Sequence, residues 1–138
     1  MPIVVDARTP KDYAAWLTAR KQAVADDPGK VWTMPELRAR GEKVFQQNCM
    51  ACHQADGRGI PGSFPALAGS RIATGDPAAH IEIVLHGSKK NPAMAAFGRQ
   101  LSDTDIAAVI TYERNAFGNQ TGQMIEPARI AAARQGKG

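Results

Sequence analysis

Cys49-Met50-Ala51-Cys52-His53 is the stretch of this 138-residue chain whose residue types and spacing commit it to a chemistry. Two thiols separated by two residues, with an imidazole directly after the second, form the C-x-x-C-H signature of covalent haem attachment. Each part has a physical task. The thiols add across the two vinyl groups of one porphyrin edge, and the intervening pair sets their separation. His53, locked beside the second thioether, is delivered under the ring to ligate iron, so the pattern calls for one covalent haem c. Other uses of the cysteines fit less well. A thioredoxin-like redox pair needs a βαβ setting, which this helix-then-loop context is not. A zinc site needs four ligands, and Cys49, Cys52, His80 and His86 offer no second paired knuckle. His80 and His86 do not share a helix face and read as solvated side chains, with His86 beside the helix-ending Gly87.

Iron held by one histidine has a sixth position, and its occupant decides the chemistry. A methionine there raises the reduction potential and excludes exogenous ligands, which favours electron transfer. The chain has five methionines, Met1, Met34, Met50, Met94 and Met124. Met50 lies in the proximal turn, Met34 precedes the proximal helix, and Met124 follows the closing helix. Met94 sits in a Pro/Gly-containing loop long enough to wrap the ring edge, which makes it the expected sixth ligand. An open sixth site would instead suit a haem sensor or a small peroxidase.

The elements that must position these groups are legible from capping and breaker residues. Thr9-Pro10-x-Asp12 opens a helix carrying Tyr13, Trp16, Leu17 and Val24 along one face, ended by Asp27-Pro28-Gly29. Thr33-Met34-Pro35-Glu36 repeats that start, and a helix with Leu37, Gly41, Val44 and Phe45 on one face runs into the cysteine motif. From Gln54 to Gly75 the chain is Gly- and Pro-rich loop. Asp76-Pro77 caps a third helix through Leu85, and a second loop spans Ser88 to Gln100. Ser102-x-x-Asp105 opens a last strong helix with Ile106, Val109, Ile110 and Tyr112, closed near Gly118. Residues 119–138 read as a polar, Ala-rich tail with a weak helix at 127–134. Met1-Pro2-Ile3-Val4-Val5 reads as a lone strand.

Composition narrows the class. With 138 residues, two Trp, two Tyr and four Phe, the chain is one domain with extensions and a modest core. The net charge of +4 is small and scattered, with Lys89-Lys90 and Arg20-Lys21 as its basic doublets, so nucleic acid is not an expected partner. No apolar run is long enough to span a membrane. Residues 1–30 lack the order of charge and apolar character found in a secretory leader. Because haem is joined to thiols outside the bacterial cytoplasm, the expectation is a trimmed or excised chain acting in the periplasm.

Over Met34 to Asn119 the chain resembles class I cytochromes c. Gly41-x-x-x-Phe45 and Tyr112 are similar to the residues by which the first and last helices of that family cross. Phe64-Pro65-Ala66-Leu67 resembles the segment whose proline carbonyl accepts the proximal histidine's N–H, and Pro92-Ala93-Met94-Ala95-Ala96-Phe97-Gly98 resembles the distal methionine loop. The resemblance implies an all-α fold around one covalent haem, with Cys49 and Cys52 attached, His53 and Met94 as axial ligands, and one-electron transfer as the function. Arg71, after the Pro65 loop, is a candidate partner for a haem propionate. Ala51, Ile60, Pro61, Ala93, Ala95 and Ala96 would form a weakly polar docking patch around the haem edge.

The ends point to a parent. Met1-Pro2-Ile3-Val4-Val5 followed by Thr9-Pro10-x-Asp12-Tyr13-x-x-Trp16-Leu17 resembles the end of the copper domain of cytochrome oxidase subunit II. Thr111-Tyr112-Glu113-Arg114-Asn115-x-Phe117-Gly118-Asn119 is similar to haem-fused chains of that family. The implied organisation is a copper-domain remnant (cupredoxin edge strand and linker helix) over 1–32, a cytochrome c domain over 33–119 and a tail over 120–138. Met1 would hold a copper-ligand position whose partners are absent here, the binuclear copper centre belonging to the parent subunit. Electrons would come from a respiratory donor, a soluble cytochrome or a quinol–cytochrome c reductase. They would pass to the copper domain and catalytic subunit of a membrane-anchored oxidase. The alternative is a free-standing periplasmic cytochrome c or the haem subunit of a dehydrogenase.

Overall fold

Short polar boxes set the helix starts of this protein, whose computed structural model describes residues 9–24, 26 and 29–136. Its described regular structure is helical throughout, with no strand among the described residues. The expected strand at Met1–Val5 and the Asp27-Pro28 stop lie outside the described residues. By contacts the chain divides into two units, Met1–Lys30 and Val31–Gly138.

The first unit contains α1, Pro10–Val24. Its start is the expected one: the Asp12 N–H donates to the Thr9 hydroxyl oxygen at 3.2 Å, and that hydroxyl donates to the Asp12 carboxylate at 2.6 Å. Tyr13 and Trp16 stack at 5.8 Å between ring centroids and remain exposed.

The second unit holds the other helices: α2 (Met34–Asn48), α3 (Met50–His53), α4 (Arg71–Thr74), α5 (Pro77–His86), α6 (Asp103–Arg114) and α7 (Pro127–Arg134). At the head of α2 the Glu36 carboxylate accepts from the Thr33 N–H at 2.9 Å and from its hydroxyl at 2.8 Å. Asp76 accepts from the Ala78 N–H at 2.9 Å, and Ser102 from the Asp105 N–H at 3.1 Å, starting α5 and α6. Each cap satisfies amide donors that the first helical turn leaves unpaired.

Helices α2 and α6 form the main crossing of the fold. Gly41 allows it, because a Cβ there would lie 2.0 Å from the Ala108 carbonyl oxygen and 2.7 Å from the Tyr112 Cβ. Around that close approach Phe45, Tyr112 and Phe117 form an aromatic triangle with centroids 5.1 to 5.6 Å apart. Leu37, Ile106 and Ile110 are fully buried in the same region.

The C-terminal segment does more than a polar tail would. The weak helix expected over 127–134 forms as α7 and packs on α6, with Ile125 and Ile130 buried in the core. Two isolated isoleucines among polar and alanine residues supply too little periodic signal to reveal this, yet each buries a full side chain. The segment is anchored further by the Ile125 N–H, which donates to the Thr111 hydroxyl at 2.9 Å.

Candidate haem-binding site

α3 is a single turn that continues α2 through Cys49 and ends on His53, so the whole cysteine motif is carried at the end of one helical rod. The chain then leaves the helix, and the His53 carbonyl accepts from the Gly59 N–H at 2.9 Å. Gly59 has φ +66, and a Cβ on it would meet the Phe64 carbonyl oxygen at 2.3 Å and the Pro65 carbonyl oxygen at 2.6 Å. Only glycine brings the returning strand of loop this close. The result is a specific bond: His53 Nδ1 lies 2.9 Å from the Pro65 carbonyl oxygen. A carbonyl can only accept, so Nδ1 carries the proton and Nε2 keeps its lone pair for a metal.

Cys49, Cys52, His53, Pro65 and Met94 all line one cavity of about 710 Å³. That volume lies within the ~300–1,000 Å³ of pockets that enclose small organic ligands. Much of the wall is apolar, with Leu67, Ile72, Ile83, Val84, Phe97 and Val109 contributing. A flat apolar macrocycle with polar substituents fits such a wall, and the donor set fits iron: one imidazole nitrogen and one thioether sulfur. Among the described residues no other methionine lines the cavity, and Met50 is exposed.

Burial, with the nearby charges of Glu113 and Cys52 adding to it, pushes the Cys49 thiol well above its ordinary value. A thiol so shifted is a poor redox nucleophile. No group of three metal-holding side chains exists among the described residues, so the zinc alternative for Cys49, Cys52, His80 and His86 fails on geometry.

Some expectations are revised. His80 is not a solvated helix residue: it is buried, lines the cavity, and its Nε2 lies 2.8 Å from a carboxylate oxygen of Glu113, itself buried. His80 shares a face of α5 with buried Val84, and Glu113 extends the Val109 and Ile110 face of α6, so the pair forms where those two faces meet. His86 is exposed at the last turn of α5, 3.8 Å from Glu82. Arg71 opens α4 with an exposed side chain and is absent from the cavity wall, whereas Lys89 and Lys90 are part of it. Ala51, Ile60, Pro61, Ala93, Ala95 and Ala96 are all exposed.

Asn119 is a positioning residue with no local sequence signal. Its amide nitrogen donates to the Leu67 carbonyl at 3.0 Å and to the Glu113 carbonyl at 2.8 Å. Its carbonyl oxygen accepts from the Gly69 N–H at 2.8 Å. One buried side chain thus ties the loop after Pro65 to the end of α6.

Residues 36–112 match the family model described as cytochrome c oxidase, cbb3-type, subunit III. The chain belongs to this cytochrome c family. Cytochrome c-552 of Thermus thermophilus is 37% identical over 95 residues, covering 59% of this cytochrome and 71% of the relative. The cytochrome c subunit of the quinone alcohol dehydrogenase of Gluconobacter oxydans is 32% identical over 103 residues, 68% of the cytochrome. The cbb3-type oxidase subunit FixP of Azorhizobium caulinodans is 36% identical over 99 residues, 64% of the cytochrome and 33% of the relative. The cytochrome spans only 22% of the length of the dehydrogenase subunit it matches. Membership makes it an electron-transfer domain that carries haem c and confirms the all-α class I fold. Two of these relatives are named as dehydrogenase and cbb3-type oxidase subunits, and none of the three is named as a copper-domain subunit II. No described helix is long and apolar enough to cross a membrane.

Proposed function

We infer that this cytochrome relays single electrons through one haem c joined to Cys49 and Cys52, with His53 and Met94 as axial ligands. The observation that carries the reading is the shared cavity, lined by both cysteines, by Met94 and by a histidine whose Nδ1 is already committed to Pro65. When bound, the haem supplies reversible exchange of one electron at its iron. The chain's own residues do the rest. The Pro65 carbonyl fixes the tautomer and ring orientation of His53 and raises its donor strength. Met94 would supply a thioether to the iron and so exclude exogenous ligands. The apolar wall keeps water away from the metal, and the exposed alanines with Ile60 and Pro61 offer a weakly polar surface for brief docking. Lys89 and Lys90 at the cavity can attract an acidic partner.

The decisive measurement is the optical spectrum of oxidised and reduced protein, including the weak near-infrared band that reports methionine on ferric iron. The band is expected in the native protein and absent in Met94→Ala, whose ferrous form should take up carbon monoxide. Rapid, complete carbon monoxide binding by the native ferrous protein at neutral pH would overturn the ligand assignment.

For the parent assembly, the reading is a periplasmic relay from a respiratory donor toward the copper centre of a terminal oxidase, anchored to the membrane through its parent subunit. Its support is the likeness of residues 1–17 and 111–119 to haem-fused subunit II chains, with Met1 at a copper-ligand position. The 32% identical dehydrogenase subunit favours a second reading, a haem subunit that drains a quinone-linked dehydrogenase. Metal analysis of the native complex separates them. Two or more coppers per c-type haem support the oxidase, while copper-free protein that is reduced by an alcohol or sugar-acid substrate supports the dehydrogenase.

A further inference from the structure

The methionine loop is tied to the Ser63 carbonyl by the Asn91 amide at 3.2 Å, and its arms are fastened on the α5 and α7 sides by bonds of different kinds. On the α5 side the bonds that reach Met94, Phe97 and Gly98 are backbone to backbone. The Ser88 N–H donates to the Met94 carbonyl at 3.1 Å, the Phe97 N–H to the Val84 carbonyl at 2.9 Å, and the Gly98 N–H to the Leu85 carbonyl at 3.1 Å. On the α7 side a single side chain does the fastening. The Arg134 guanidinium donates through Nη1 to the Gly98 carbonyl, through Nη2 to the Leu101 carbonyl at 2.9 Å, and through Nε to the Asp103 carboxylate at 2.5 Å. Gly98 therefore has its N–H taken by α5 and its carbonyl taken by α7.

We propose that Arg134 is a positioning residue for the sixth iron ligand, locking the loop that carries Met94 to the first turn of α6. The proposal rests on the reading of Met94 as that ligand. Three facts favour a clamp over an ordinary surface ion pair. The planar fork reaches three acceptors at once, on Gly98, Leu101 and Asp103, which an ammonium cannot match. Its base does not drift, because α7 is held down by Ile130, whose side chain is fully buried. The acceptors also lie where the loop joins α6, so releasing them frees the C-terminal arm of the loop while leaving the proximal motif untouched.

Haem-loaded protein is compared with Arg134→Leu, Arg134→Lys and Arg129→Leu, the last removing an exposed charge from the same helix. Hydrogen bonds from a charged donor shift an open–closed equilibrium by about tenfold or more. Arg134→Leu should therefore bind exogenous imidazole at ferric iron about tenfold more tightly and lose the near-infrared methionine band at lower temperature. Far-ultraviolet circular dichroism should stay native. Arg134→Lys should fall between the two, and Arg129→Leu should match the native protein. Unchanged imidazole affinity in Arg134→Leu overturns the proposal. So does an equal shift in Arg129→Leu, which would reduce the effect to charge. A shift accompanied by loss of helix signal in Arg134→Leu counts against it unless Arg134→Lys, still helical, shows the intermediate affinity. If the native protein itself lacks the band and Met94→Ala is spectrally silent, the ligand reading has failed, and the clamp with it. If the band is present and only the Arg134 variants are silent, the clamp alone has failed.

Discussion

The two segments that meet at the cavity share short-range closure and differ in the long-range fastening added to it. The proximal segment, from Cys49 to Pro65, is held mostly by bonds within itself and the adjoining helix: Cys49 N–H to Phe45, Gly59 N–H to His53, and His53 to Pro65. The distal segment around Met94 has bonds of similar span to the end of α5, and adds distant fastenings from Arg134 on α7 and from the Asn91 amide to the Ser63 carbonyl. A locally closed segment keeps its shape as long as its few special residues are present. A segment fastened by distant elements inherits the stability of the whole domain, and opens first when that domain loosens. In a cytochrome this asymmetry is useful, since the covalent end must never release haem while the sixth ligand need only be held firmly enough.

Breaking the feature common to both segments should have the largest effect. His80 on α5 and Glu113 on α6 are paired across the cavity wall, 2% and 5% exposed. His80→Leu leaves the Glu113 carboxylate buried without its partner and should destabilise the haem-loaded protein by about 3–5 kcal/mol in urea unfolding. Replacing both by leucine should recover much of that loss, because no orphan charge remains. A single-variant loss below ~1 kcal/mol would show that water reaches the pair and that it does not join the two segments.

Next in size comes a pair of core truncations that separates the segments. Ile130→Ala on α7 and Leu37→Ala on α2 each empty a fully buried site and should each cost about 2–4 kcal/mol by thermal unfolding. Only Ile130→Ala should also lower the temperature at which the methionine band fades, because α7 carries the Arg134 fastening. Equal fading in both variants would mean that the distal loop follows global stability alone.

The same contrast explains what could be read along the chain. The haem motif and the capped starts at Thr9, Thr33, Asp76 and Ser102 are local signals that lead directly to the observed elements, and the Gly41–Tyr112 crossing was legible through family likeness. The Pro65 carbonyl was legible through family likeness, since a backbone acceptor leaves no side-chain trace. The burial of His80 was hidden because a lone polar residue on a helix looks solvated until its partner on another helix is known. Asn119 and Arg134 were hidden for a stronger reason. Each acts on backbone carbonyls from distant segments, and a carbonyl is present at every residue. The aliphatic spacing of 119–138 was too sparse to announce a packed helix, although Ile125 and Ile130 suffice to bury one.

The smallest effects test whether the proximal bond depends on side chain or on backbone. Gly59→Ala forces a Cβ into the Phe64 and Pro65 carbonyls, 2.3 and 2.6 Å away, at φ +66. It should cost about 2 kcal/mol and displace the acceptor of His53, lowering the basicity of the imidazole and shifting the reduction potential. Pro65→Ala, one step nearer the histidine in space, should cost less than ~1 kcal/mol and leave the potential close to native. The carbonyl that accepts from His53 belongs to whatever residue stands at 65, and proline adds only a stiffer approach. The order of these two variants is the sharp part of the prediction. If Pro65→Ala moves the potential further than Gly59→Ala, the ring rather than the carbonyl positions His53, and the proximal segment is held by packing in the same way as the distal one.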